Sequence, residues 1–125
     1  MNAYQITGQT KVLAATTSSS EISISPGEAG IAFNGQTGPL FLKITNGSGS
    51  DNVFFETSKT TTTAVKPVVG TPGSCPIPAY GEVIVQVGDG PSVPPVTVYI
   101  AAVADSSATV YVTPILNLGA RQGNN

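Results

Sequence analysis

The chain has no histidine, no tryptophan, a single cysteine and only twelve charged side chains, five basic and seven acidic, among its 125 residues. Histidine is the commonest metal ligand and the side chain whose ordinary pKa lies nearest neutral pH, so its absence removes the usual acid–base and metal-binding groups. Cys75 stands alone, which excludes a disulfide within the chain and leaves a zinc site without its other ligands. We therefore expect no enzyme activity, no cofactor and no metal site.

Charge is also scarce in comparison with ordinary soluble domains. Charged residues make up 10% of the chain, against about 25% in a typical domain. The basic residues are scattered and the net charge is -2, whereas phosphate binding needs clustered positive charge. We expect no nucleic-acid partner. The basic residues are Lys11, Lys43, Lys59, Lys66 and Arg121.

Long hydrophobic runs are missing as well. The longest apolar stretch, Val98 to Ala104, is far shorter than the roughly 20 residues of a membrane-spanning helix, so we expect no membrane partner. The first residues, MNAYQITGQTK, do not combine a basic stretch with an apolar core and a cleavage site. We expect synthesis in the cytoplasm and no secretory signal.

What the chain does contain is β-forming sequence between frequent glycines and prolines. Fourteen glycines and ten prolines separate short segments rich in Val, Ile and Thr, which favours strands over helices. About eight such segments predict an all-β, single-domain antiparallel β-sandwich, jelly-roll-like in arrangement. The predicted strands are Lys11–Ala15, Glu21–Ser25, Ile31–Phe33, Leu40–Thr45, Asn52–Thr57, Glu82–Val87, Val96–Val103 and Ala108–Thr113. We assign 1–20 to an N-terminal arm and first strand, 21–114 to the sandwich core and 115–125 to a C-terminal tail.

The connections carry turn chemistry. Asn46-Gly47 tolerates positive φ and predicts a hairpin loop, and Asp105-Ser106-Ser107 predicts a short turn that pairs the two strands beside it. Ser25-Pro26-Gly27-Glu28 fits a helix start, but no apolar helical period follows, so it predicts a single turn. In Thr57–Pro78 the first part is typical of an edge strand, and the proline-rich second part predicts an extended, exposed loop.

Candidate chemistry is weak throughout, and we predict no catalytic, cofactor-binding or metal-ligating residue. Two carboxylates could form a glycosidase pair, but one acid per strand or turn is typical of surface solvation. Asp51-Asn52 and Asp89-Gly90 lack the acidic spacing of calcium loops, and Asn46-Gly47-Ser48 is a formal glycosylation sequon that the turn explains better. The aromatic residues could supply a sugar-stacking platform, although packing is the more common role of aromatics inside strands.

The order of segments from Asn52 onward supplies a family resemblance. Asn52-Val-Phe-Phe55 precedes a Thr-rich segment, Pro76-Ile-Pro-Ala79, a Gly-Glu-Val-Ile-Val strand, and two strands that begin Thr97-Val-Tyr and Thr109-Val-Tyr. This order, over about half of the chain, resembles small accessory virion proteins of tailed bacteriophages, among them the β-sandwich decoration or cement proteins of capsids. In such proteins glycine commonly follows Pro-x-Pro-Ala directly, whereas here Tyr80 intervenes before Gly81.

The resemblance implies a structural virion protein that decorates and stabilises a capsid by binding the major capsid protein lattice on the capsid exterior. It also implies a homo-oligomer, with a trimer as the form expected from the family. Binding at a local symmetry axis of the capsid would favour a symmetric assembly. The alternative is a receptor- or glycan-binding β-sandwich of a phage fibre or an adhesin. A hydrolase ranks last.

Overall fold

The structure is a computed structural model that describes residues 4–6, 8–25, 28, 40–86 and 97–117. Within these ranges the bounded elements of regular structure are nine strands. They are β1 (Tyr4–Ile6), β2 (Lys11–Thr16), β3 (Ser20–Ile24), β4 (Leu40–Asn46), β5 (Val53–Ser58), β6 (Cys75–Ile77), β7 (Glu82–Gln86), β8 (Val98–Ala104) and β9 (Ser107–Asn117).

The strands form two antiparallel sheets. One sheet has the order β1-β9-β4-β7, with β2 also paired to β9, and the other has the order β3-β8-β5-β6. β1 and β2 pair with successive parts of the same strand, β9, so together they occupy one position in their sheet. The two described sheets therefore have eight strand positions. The all-β antiparallel sandwich is confirmed. The nested pairings β2–β9, β3–β8, β4–β7 and β5–β6 fit a jelly roll, which stays a prediction.

Alternation along the strands places the main core between the sheets. In β4, Leu42 and Ile44 are fully buried, and in β9 Val110 and Val112 lie beside them. The facing sheet supplies Val53 and other β5 and β8 side chains to the same cluster. This is the two-residue period of a sheet with one face packed, and it leaves the outer face of each sheet to be explained separately.

A second apolar cluster covers the outer face of the four-stranded sheet. Residues 59–74, here called the strap, leave β5, cross that face and return as β6. Ala64 of the strap is buried with Phe54, Ala101 and Val103. The strap is fastened to β3 and to the residue before it, because Thr62 N donates to Glu21 Oε2 at 2.7 Å and Ala64 N donates to Ser19 Oγ at 2.9 Å. The strand β8 is consequently buried on both faces.

Two predicted hairpins are wrong. The Asn46-Gly47 segment joins β4 to β5 and Asp105-Ser106 joins β8 to β9, and in each case the two strands belong to different sheets. Turn residues show where the chain reverses, but they do not show whether the next strand returns to the same sheet. Here both connections are corners between sheets. At the turn predicted from Ser25, Ser25 N donates to Glu28 Oε1 at 2.9 Å and Glu28 N donates to Ser25 Oγ at 3.3 Å, the bonds of a capping box, while residues 26 and 27 lie outside the described residues.

Proline positions also refine the sequence expectations. The expected exposed loop before Pro78 is correct except at Cys75–Ile77, which pairs with β5 as the edge strand β6, a place where Pro76 is tolerated. Pro114 is buried inside the central strand β9, opposite the interruption between β1 and β2. Pro114 therefore has a register partner on one side only, Leu42 of β4. The predicted strand Ile31–Phe33 and residues 118–125 of the predicted tail lie outside the described residues.

Candidate functional site

The β4–β5 and β6–β7 connections meet at one end of the sandwich, and a buried amide holds them together. Asn46, at the end of β4, is fully buried between the sheets. Its Nδ2 lies 2.8 Å from the Asp51 carbonyl oxygen and 3.1 Å from the carbonyl oxygens of both Ile77 and Pro78, and its Oδ1 accepts from Ser48 N at 2.9 Å. A fully buried side chain is a poor glycosylation acceptor, which supports the structural interpretation of the sequon.

The two inter-sheet corners are also fastened to each other by carboxylates. Asp51 Oδ2 accepts from Ser106 Oγ at 2.7 Å, Ser107 N at 2.8 Å and Ser106 N at 3.1 Å. Asp105 Oδ2 accepts from Asn52 N at 3.1 Å, and its Oδ1 pairs with Lys66 Nζ at 2.7 Å. The bond from the Ser106 hydroxyl lowers the pKa of Asp51, and the bond from Lys66 lowers the pKa of Asp105. Both acids serve as turn anchors.

Other acids have structural partners too. Glu28 pairs with Lys11 at 3.0 Å, and the backbone N–H of Ser25, followed by Lys11, lowers the pKa of Glu28 to about 2. Glu82 Oε2 lies 3.7 Å from Lys43 Nζ. Among the described residues, no group of three or more His, Cys, Asp or Glu side chains is placed to hold a metal ion. Asp89, of the second weak calcium motif, lies outside these ranges.

Tyr80 is the most unusual residue at this end. It has a φ of 56°, in the left-handed region that glycine adopts more easily, and its side chain is 76% exposed. The turn around it is fixed, because Tyr80 N donates to Ser48 O at 2.9 Å and Gly81 N donates to Pro78 O at 2.8 Å. The ring lies against Gly49, where an added Cβ would be 2.7 Å from Tyr80 Oη.

Tyr111 makes a similar contact with the same backbone segment. It lies on β9, is 42% exposed, and packs against Gly47, where an added Cβ would be 2.8 Å from its Cε2 atom. Gly47 and Gly49 are two residues apart, so their Cα atoms are separated by at most about 7 Å. Two exposed tyrosines thus lie against one short backbone segment, and we call Gly47, Gly49, Tyr80 and Tyr111 the two-tyrosine corner.

The strands beside the corner add polar groups. Thr45 is the register partner of both Tyr111 and Glu82, so these three side chains form a row on the outer face of the five-stranded sheet. Lys43 lies two residues before Thr45 on the same face. Its ion pair with Glu82 leaves this region close to electrically neutral.

The rest of that outer face is unusually apolar. Ile6 is 67%, Val12 57% and Ile84 40% exposed, on β1, β2 and β7. Half-buried Phe41 and buried Ile115 form a register pair on the same face. We call Ile6, Val12, Phe41 and Ile84 the apolar face. An antiparallel sheet with a solvated outer face would carry polar residues at these positions.

The sequence predicted that most aromatic side chains pack in the core or on a sheet face, and their exposure in the structure differs from residue to residue. Phe54 and Phe55 are buried in the two apolar clusters, as the sequence predicted, whereas Tyr80 and Tyr111 are exposed. Cys75 is a free, exposed thiol. The sequence signal for the two-tyrosine corner is the pair Gly47 and Gly49, because glycines two apart allow rings to approach a turn. That signal does not identify which aromatics approach.

None of the described residues forms a helix long and apolar enough to cross a membrane. Comparisons of the chain with protein-family models, with curated proteins and with solved structures return no match.

Proposed function

We propose that this protein is a structural virion component that binds the major capsid protein lattice on the capsid exterior and stabilises it. The observation that carries the proposal is the apolar face, where Ile6, Val12 and Ile84 are exposed on a sheet whose opposite face already packs the core. These side chains share the face with Lys43 and Thr113, and large exposed apolar patches on a soluble domain are typical of interaction sites. The resemblance to capsid decoration proteins supplies the partner.

Charge distribution supports attachment by apolar contacts. On the outer face of the five-stranded sheet, the charged side chains of the described residues are Lys43 and Glu82, and they pair with each other. Apolar contacts are hardly screened by salt, whereas interfacial ion pairs are. Attachment of this kind should survive at about 1 M salt, where the Debye length is roughly 3 Å.

The corners support a passive mechanical role. Carboxylates that could serve chemistry are used as turn anchors, since Asp51 accepts three bonds from the β8–β9 corner and Asp105 binds Asn52 and Lys66. Fixed corners make the outer faces rigid, and a rigid surface loses less conformational entropy when it binds. Symmetry of a capsid lattice favours a symmetric homo-oligomer, and we propose a trimer.

The test is a mass-spectrometric inventory of purified phage particles combined with two charge-introducing variants. The proposal expects the wild-type chain in a fixed ratio to the major capsid protein, retained after a wash at about 1 M salt. Val12→Glu and Ile6→Glu should reduce the copies per particle about tenfold or more, because each buries an unpaired charge in the interface. Val69→Glu makes the same substitution at a fully exposed position of the strap, which covers the other sheet, and should leave the copy number unchanged.

Absence of the chain from particles, or equal retention of all three variants, would rule out this attachment.

The second candidate function is binding of a receptor or glycan, and the two-tyrosine corner is the observation that favours it.

A further inference from the structure

We propose that the two-tyrosine corner is a carbohydrate-binding site for a neutral hexopyranose chain, with the rings of Tyr80 and Tyr111 as its two stacking surfaces. This inference gives the second candidate function a ligand class and a site. It does not depend on capsid attachment, because it concerns the protein by itself.

Both tyrosine rings are exposed and lie against the backbone of the β4–β5 connection. Each ring lies against a glycine, Tyr80 on Gly49 and Tyr111 on Gly47, so one side of each ring has a rigid backing while much of the side chain is exposed. Hexopyranose rings have a face of C–H groups that packs on an aromatic face. Because the two glycines are at most about 7 Å apart, one oligosaccharide is long enough to contact both tyrosines.

Hydroxyl groups at the corner are available to bond a ligand. The hydroxyls of Tyr80, Tyr111 and Thr45 make no hydrogen bond to another described residue. Each can donate and accept. By contrast, the Ser48 hydroxyl already accepts from Ser50 N and Asp51 N. A sugar chain carries many hydroxyls, and sites that recognise small ligands combine an apolar surface with a few placed polar groups of this kind.

The paired charges beside the corner favour a neutral sugar. Lys43 lies two residues before Thr45 on β4, Glu82 is the partner of Thr45 on β7, and the two charges offset each other at 3.7 Å. Both are roughly half exposed, so each can bond a hydroxyl without loss of the ion pair. An anionic sugar would need an unpaired cation, and Lys66 at the same end is held by Asp105.

The backbone conformation of Tyr80 also supports a binding role. A non-glycine residue at φ 56° is strained, and such residues concentrate at binding and catalytic sites because the surrounding structure holds them there. Glycine at this position would relieve the strain, because it has no Cβ. A ligand that contacts the exposed ring of Tyr80 would explain why a tyrosine occupies this strained position.

The experiment is an NMR titration of the full chain with maltohexaose, cellohexaose and mannohexaose, and with hexagalacturonate as the anionic probe. The proposal expects saturable shifts with at least one neutral hexamer, centred on the amides of Gly47, Gly49, Tyr80 and Tyr111. Affinity should fall about tenfold in Tyr80→Gly and in Tyr111→Thr, since each removes one aromatic contact. Gly49→Ala displaces the Tyr80 ring without removing it and should also weaken binding.

Tyr99→Thr is the matched control, because Tyr99 lies half-buried on β8 in the other sheet. It should leave sugar affinity unchanged, and the amide spectrum of every variant verifies its fold. No saturable shift with any neutral hexamer, shifts centred elsewhere, or tighter binding of hexagalacturonate would each overturn the proposal. If the tyrosine variants instead lose attachment to particles while no sugar binds, the corner is a protein contact and the carbohydrate proposal fails while capsid attachment stands.

Discussion

Asn46 Nδ2 donates to the carbonyl oxygen of Ile77 at 3.1 Å and so connects the end of β4 in one sheet with the end of β6 in the other. The same amide group reaches the carbonyls of Asp51 and Pro78. Buried carbonyl groups without a donor are costly. One side chain therefore bonds acceptors in the β4–β5 connection, at the end of β6 and in the β6–β7 connection.

Asn46→Ala should lower the free energy of unfolding by about 2–4 kcal/mol, because it leaves several buried acceptors and the Ser48 N–H without their partner. Urea unfolding followed by circular dichroism measures the change. Asn52→Ala, at an exposed position next to the same corner, should alter stability by no more than about 0.5 kcal/mol. Equal effects of the two substitutions would contradict the role of Asn46.

Tyr80→Gly should be more stable than Tyr80→Ala by about 1–2 kcal/mol, since both remove the ring but only alanine keeps a Cβ in the left-handed conformation. The difference between their thermal midpoints, converted with the measured enthalpy, gives this value. Glycine and alanine at Thr16, an extended β2 position, should show the opposite order. The same order at both positions would argue against strain at Tyr80.

Ala101→Leu should destabilise the protein by about 1–3 kcal/mol through overpacking. Ala101 is fully buried beneath the strap together with Ala64, so three additional carbons have no space. Ala14→Leu makes the same substitution at an exposed β2 position and should be nearly neutral. We also expect faster proteolysis within the strap only in the Ala101 variant, which limited digestion and mass spectrometry would detect.

Stability should be constant from neutral pH down to about 5 and then fall as the pH approaches 2. Glu28 has a folded-state pKa of about 2, below the ordinary value of 4.5, and Asp51 and Asp105 also have lowered pKa values. A carboxylate with a lowered folded-state pKa stabilises the fold above its unfolded pKa, and that contribution is lost as the pH falls through the folded value. Urea midpoints measured across this range test the window.

Glu28→Gln isolates one of these groups. Its urea midpoint should decline less steeply between pH 4.5 and about 2 than that of the wild type, because the substituted side chain no longer titrates. Parallel declines in the two proteins would show that Glu28 does not contribute to the acid sensitivity.

The fold class was predictable because strand patterning is local. Alternation in Leu40–Thr45 and Glu82–Val87 and the β-rich segments elsewhere each predict a strand without reference to the rest of the chain. Sheet membership is not local. The partners of β8 are β3 and β5, far away in sequence, while the adjacent β9 lies in the other sheet. The turn chemistry at Asp105 would be the same if β9 had paired with β8.

The candidate site was less predictable for the same reason. Tyr80, Tyr111 and Gly47 come from three separate segments, and only the nested strand pairing brings them to one end. The exposure of Val12 and Ile84 follows from which face of each strand meets the core. A period of two identifies the two faces, but it does not identify the one that stays uncovered when both carry apolar residues.

The central position of β9 affects the order of events during synthesis. This strand joins β1, β2 and β4, yet it is the last strand of the described chain to leave the ribosome. At about 5–20 residues per second, the early strands wait several seconds for the partner that unites them, and such distant pairing slows folding. The unfinished chain exposes its apolar strands during that interval, so chaperone capacity in the producing cell should limit the yield of folded protein more than the stability of the finished sandwich does.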